Sequence, residues 1–91
     1  MNLGMPEYIV ISTLATEPEK IAPHRTAHLE YLTGLKEKGK LQLAGKFTDG
    51  SGGLYILIAD TYEEAERMAE ADPYHANGLR RFKITGWERR L

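Results

Sequence analysis

The sequence has no cysteine, which excludes a disulfide framework, a thiolate nucleophile and a zinc–thiolate centre together. It has no excess of either charge: 12 Lys and Arg stand against 13 Asp and Glu, for a net charge of −1. The two signs are interspersed, so no basic stripe is available for nucleic acid or for an anionic membrane surface. No apolar run approaches the roughly 20 residues needed to span a bilayer. The opening "MNLGMPEY" lacks the basic-then-apolar layout of a secretory signal. At 91 residues the chain is expected to be one cytoplasmic domain over residues 6–91, with residues 1–5 a disordered lead. A chain this short buries only about 60–65% of its unfolded surface, so its core is thin.

Within that chain the periodicity changes in a regular order. Glu7–Leu14, "EYIVISTL", is β-branched and apolar on both faces, and predicts a strand covered on two sides. A helix follows, starting near Pro23 or one turn earlier from Thr16, and ending at "KEKG", where Gly39 supplies a left-handed cap. Leu41–Phe47 alternates as a half-buried strand, "TDGSGG" is a hairpin turn, and Leu54–Ala59 is a second strand without a polar face. Thr61 and Glu64 form a capping pair for a helix through "TYEEAERMAEAD", which Asp72-Pro73 stops. Leu79–Trp87 completes the set as a last strand.

The order β-α-β-β-α-β predicts the α+β, ferredoxin-like arrangement: a four-stranded antiparallel sheet with two helices on one face. Its first and third strands are central, and these are the two that lack a polar face here. Two helices cover one face only. Tyr8 and Val10 point one way by alternation and Ile9 and Ile11 the other, so one apolar set stays uncovered in a monomer. A homodimer, sheet face against sheet face, is expected; the alternative is a monomer whose own tails cover that face. Assembly beyond the dimer is left open.

Two polar residues break the helical pattern. On a wheel of about 100° per residue, Ile21, Tyr31, Leu32 and Leu35 all fall within roughly 60° of His28. Asp72 falls about 20° from Ala65 and about 40° from Met68, on the apolar stripe of the second helix. It stands at that helix's C-terminus, where a carboxylate is disfavoured by the macrodipole. A buried carboxylate beside a buried imidazole satisfies both: it fixes the ring tautomer and leaves the other nitrogen as a base. Each residue has a plainer use. A core histidine needs only hydrogen-bond partners, and Asp before Pro often closes a turn onto the following amides.

The pieces "RTAHLEYL", "GKLQLAG", "DGSGGLYIL" and "EEAERMAEADPY" followed by "GL", in this order and spacing, resemble the YCII-related (YciI-like) family of the dimeric α+β barrel superfamily. The resemblance runs from Tyr8 to Trp87. It implies a ferredoxin-like homodimer with a cleft between helices and sheet, and a His–Asp pair as the active site. By motif that pair is His28 and Asp72. One branch of the family acts as a lyase removing halide from hydroxylated aromatic rings, and relatives in the superfamily isomerise or oxygenate small cyclic substrates.

The expected function is therefore that of a small lyase or isomerase with His28 and Asp72 as catalytic pair. Its substrate would be a small cyclic or aromatic oxygenated molecule. Arg25 matches the arginine of the family motif and would hold an anionic group, unless it makes a surface ion pair. His24 and His75 complete the substrate-binding candidates, His75 on a loop near the cleft mouth unless it is a plain surface histidine. His24 and His28, four apart, suit a helical metal site, but the intervening base and a third ligand are missing, so no metal and no cofactor is expected. Arg80-Arg81 and Arg89-Arg90 read as solvated charges on an edge strand. Ser12 and Ser51 lack the surroundings of a nucleophile elbow. The rival reading is a non-catalytic binding or sensing module whose His–Asp pair is structural.

Overall fold

The computed structural model describes residues 4–91, so Met1–Leu3 of the expected lead lie outside the described residues. Its elements are β1 (Glu7–Leu14), α1 (Pro18–Ile21), a 3₁₀ turn (Ala22–His24), α2 (Arg25–Glu37), β2 (Leu41–Lys46), β3 (Gly52–Ile58), α3 (Tyr62–Glu70), α4 (Pro73–Ala76) and β4 (Arg80–Trp87). The strands form one antiparallel sheet in the order β2-β3-β1-β4. This is the ferredoxin-like α+β arrangement, with the two doubly apolar strands in the middle.

Register decides which side chains share a face. Val10 of β1 lies between Tyr55 of β3 and Ile84 of β4, and one step along Ser12 lies between Gly53 and Phe82. The helices cover this face. Val10, Leu57, Ala65, Ala69, Leu35 and Ile84 belong to one buried cluster beneath them. The opposite face carries Ile9, Ile11, Leu43 and Leu54, and there Ile11 is 42% and Leu43 48% exposed. At its end Glu7 is buried, accepting from Trp87 Nε1 at 3.1 Å and from Arg89 Nη2 at 2.9 Å. The "WERRL" terminus thus folds back on β1.

The first helical segment is broken where its prolines require it. Pro18 opens α1, but Pro23 has no N–H to continue the ladder and crowds the preceding turn. The chain passes through a 3₁₀ turn before α2 begins. At the far end Gly39 takes φ 75°, and the Lys40 amide returns to the Leu35 carbonyl at 2.8 Å, closing the helix as expected.

The hairpin and the second helix depart from the sequence expectation in their bounds. β3 starts at Gly52 and not at Leu54, because both glycines pair with neighbouring strands. A Cβ at Gly52 would collide with the Ser12 carbonyl oxygen, so this close approach of β3 to β1 needs glycine. α3 is capped by Thr61 Oγ1, which accepts from the Glu64 amide at 3.1 Å. It ends at Glu70. Asp72 precedes a proline and is pushed to φ −58°, ψ 126°, outside helical space. A further short helix, α4, then begins with Asp72 as its N-cap. The expected penalty for a carboxylate at a helix C-terminus does not arise, since the side chain caps the next helix.

Candidate active site

Asp72 is fully buried, and three donors converge on its carboxylate. Oδ1 lies 2.8 Å from His28 Nδ1 and accepts from the Tyr74 amide at 2.9 Å, while Oδ2 accepts from the Tyr55 hydroxyl at 3.0 Å. Removing a carboxylate from water costs several kcal/mol unless such partners replace the lost hydration. Burial pushes the Asp72 acid upward, but the His28 hydrogen bond, the charge that ring carries when protonated, and the Tyr74 amide hold it below the usual carboxylate range. It is therefore an anion. The same buried charge, after desolvation, raises the Tyr55 phenol far above its ordinary value, so Tyr55 stays a donor.

His28 is fixed at its edge and on its face. Nδ1–H donates to Asp72, and the ring stacks on Tyr74 with centroids 3.9 Å apart and planes 9° apart. The Arg80 guanidinium carbon lies 4.5 Å from the centre of that same Tyr74 ring. A parallel imidazole already occupies one face, so the guanidinium takes the other. Nε2 of His28 has no hydrogen bond to protein among the described residues. It is the nitrogen left for chemistry.

The ring opens onto a cavity of about 330 Å³ between α2 and the sheet, within the range of about 300–1,000 Å³ that holds small ligands. α2 contributes Arg25, His28 and Leu32 to its wall, β1 contributes Ser12, and Lys46 of β2 and Arg80 of β4 stand at its sides. None of the three cations makes an ion pair among the described residues. Arg25, an exposed residue at the edge of the cavity, makes no surface ion pair among the described residues. Arg80 Nε is buried without a partner.

The other sequence candidates fall elsewhere. His24 is not among the residues that line the cavity. It ends the 3₁₀ turn and stands at the N-cap position of α2 with φ −102°, ψ 0°, outside the regular helix that carries His28. His75 is not on a loop at the mouth. It lies on α4 behind the cavity wall, with Nε2 2.7 Å from Ser12 Oγ and Nδ1 2.7 Å from the Ala69 carbonyl oxygen. Among the described residues no group of three His, Asp or Glu side chains is disposed to hold a metal.

Four residues of this constellation were not singled out by sequence reasoning. Tyr55 reads as core within an apolar strand, and Tyr74 follows the proline of a helix stop. Arg80 reads as a solvated charge, and Ser12 reads as a serine without the surroundings of a nucleophile. The one available signal was their spacing from Asp72 and from the strand register, which the topology had to supply.

The comparisons agree with the fold. The curated protein YjpA of Bacillus subtilis (strain 168), itself uncharacterized, is 37% identical over 65 residues, 71% of this chain and 76% of that protein. A solved structure of 5-chloro-2-hydroxyhydroquinone dehydrochlorinase (TftG) from Burkholderia phenoliruptrix AC1100, in complex with 2,5-dihydroxybenzoquinone, superposes with a TM-score of 0.75. It covers 90% of this chain and 93% of its own at 23% identity, a likeness of fold. The model of the YCII-related domain matches residues 5–88, so that sheet, helices and cavity all fall inside the match and the chain belongs to the YCII-related domain family.

Proposed function

We propose that this protein is a small homodimeric, cytoplasmic enzyme of the lyase or isomerase kind that moves a proton on a small cyclic or aromatic oxygenated substrate. One observation carries the reading: His28 commits Nδ1 to a buried anion and leaves Nε2 to a ligand-sized cavity. Nε2 takes a proton from a C–H or O–H of the bound ring. Asp72 balances the imidazolium that results, and Arg25 holds an anionic oxygen of the substrate bidentately. In an isomerisation the proton returns at a second ring position. In an elimination the electron pair left behind expels a leaving anion toward Arg25 or Lys46. Positioned proton transfer of this kind contributes about 10²–10⁴-fold. The similarly folded dehydrochlorinase, named for a chlorinated hydroxyhydroquinone, supports this substrate class.

The dimer rests on the outer sheet face, where Ile11 and Leu43 are exposed beside Ile9 and Leu54. Burial against a second copy removes that apolar surface at about 25 cal/mol per Å². Light scattering on the purified chain tests it, and a monomer mass at micromolar concentration refutes it.

A second reading has an observation of its own: Asp72 is fully buried and ties α2, α4 and β3 together, which is what a structural pair in a binding module does. One experiment separates the two. Hydroxylated quinones, quinols and lactones are screened by thermal shift, which reports binding through mass action. Ring C–H exchange of each binder is then followed in D₂O by NMR. The enzyme reading expects exchange that disappears in His28→Asn with binding retained. Binding without exchange supports the module.

A further inference from the structure

Ser12 lines the same cavity but has a partner that the proton-transfer scheme does not use. Its Oγ lies 2.7 Å from His75 Nε2, and His75 Nδ1 lies 2.7 Å from the carbonyl oxygen of Ala69. A carbonyl can only accept, so Nδ1 carries the ring proton. Burial pushes His75 below the ordinary imidazole value, reinforced by the His28 and Arg80 charges and opposed by the Ala69 bond and Asp72. The ring is accordingly neutral, and Nε2 offers a lone pair only. The Ser12 hydroxyl must donate to it. A serine normally turns its single proton to suit whatever faces it. This one has its proton committed.

The remaining polar groups of the cavity wall make that constraint informative. Arg25, Lys46 and Arg80 are pure donors. Against them a ligand must present anionic or acceptor oxygens. Ser12, with its proton turned to His75, presents only acceptor lone pairs. We propose that Ser12, locked by His75, is a specificity-determining residue that selects a ring bearing a free hydroxyl in addition to an anionic oxygen. The inference rests on the reading of the cavity as a substrate site and narrows its ligand class: hydroxylated aromatic acids or enolates, with the hydroxyl protonated when bound. Methylating that hydroxyl removes the donor, adds bulk and leaves Ser12 without its hydrogen bond.

The test uses the full chain and a matched set of probes: 2,5-dihydroxybenzoate and its two monomethyl ethers, titrated by calorimetry at pH 7.5. Wild type is expected to prefer the parent acid over one of the ethers by about tenfold, the upper net value of one hydrogen bond. In Ser12→Ala that ratio should fall to near one, because no acceptor remains. In His75→Leu the Ser12 proton is released, the hydroxyl accommodates either partner, and the ratio should also collapse. The selectivity ratio is insensitive to a general loss of stability, and His75→Leu serves if Ser12→Ala packs poorly. A preference unchanged in both variants overturns the role of Ser12 alone. Failure of wild type to bind any of the three probes or the wider screen overturns the substrate-site reading with it.

Discussion

Val10 and Ser12 stand two residues apart on β1 and point to the same face of the sheet, but they belong to different interiors. Val10 lies between Tyr55 and Ile84 in the sheet and belongs to a buried cluster with Leu57, Ala65 and Ala69, in which only the Tyr55 hydroxyl is polar, and that hydroxyl points to Asp72. Around Ser12 the neighbours are Gly53, Phe82 and the ring of His75, with Asp72 and His28 just beyond. The dry end is close-packed; the polar end leaves a cavity. The change is made by small residues at register positions: Gly53 beside Ser12 lines the cavity and can carry no side chain, because a Cβ there would run into the Gly45 carbonyl oxygen, whereas Leu57 is large and fully buried. One half of a thin core is thus free to hold charge because the other half supplies the packing.

The comparison breaks most sharply with His28→Asn. Proton transfer, read as ring exchange on a bound probe, should fall by about 10²–10⁴-fold, while the melting temperature changes by only a few degrees because Asn still donates toward Asp72. A variant that loses exchange only as it unfolds would merge the two halves and remove the basis of the division.

The reverse substitution is Leu57→Ala at the dry end. Leu57 is fully buried, and deleting its side chain should cost about 2–5 kcal/mol in chemical denaturation. Exchange activity below the lowered melting point should remain near that of wild type. Arg25→Gln sharpens the polar side from another direction. Losing a charge-assisted hydrogen bond of about 1.5–3 kcal/mol should weaken an anionic probe by roughly ten- to a hundredfold. A neutral probe of the same shape should be little affected, and calorimetry with both checks it.

The dry end was also the more legible in the sequence. The strand order follows from the order of the elements and the central strands from their lack of a polar face; alternation separates Val10 from Ile11 but leaves open which set the helices cover. His28 and Asp72 stood out as ionisable residues on apolar stripes, and their side chains lie 2.8 Å apart. The rest depended on distance along the chain. Ser12 and His75 are 63 positions apart, and neither is anomalous in its own segment. α4 was hidden by a proline that reads equally as a stop and as a first helical turn. Arg80 looked like an edge charge until Tyr74 was there for it to stack on.

Acid should separate the two ends by a smaller effect with a definite sign. His75 is held below the ordinary imidazole value, so the unfolded chain protonates first, near pH 6.5. Its contribution is complete above that pH and drains as pH falls through the lower folded value. Asp72 is held below the ordinary carboxylate range, so its contribution is complete above about pH 4 and is lost further down. Both effects destabilise in acid, in two windows. Urea midpoints measured from pH 8 to pH 3 should therefore descend twice. His75→Leu should flatten the upper descent, and Asp72→Asn the lower one, starting from a reduced stability. Leu57→Ala should shift the whole curve down without changing its shape, since no titrating group is touched. A Leu57→Ala profile whose shape changed as well would mean that the packed half sets the protonation of the polar half, and the two ends would then have to be treated as one cooperative unit.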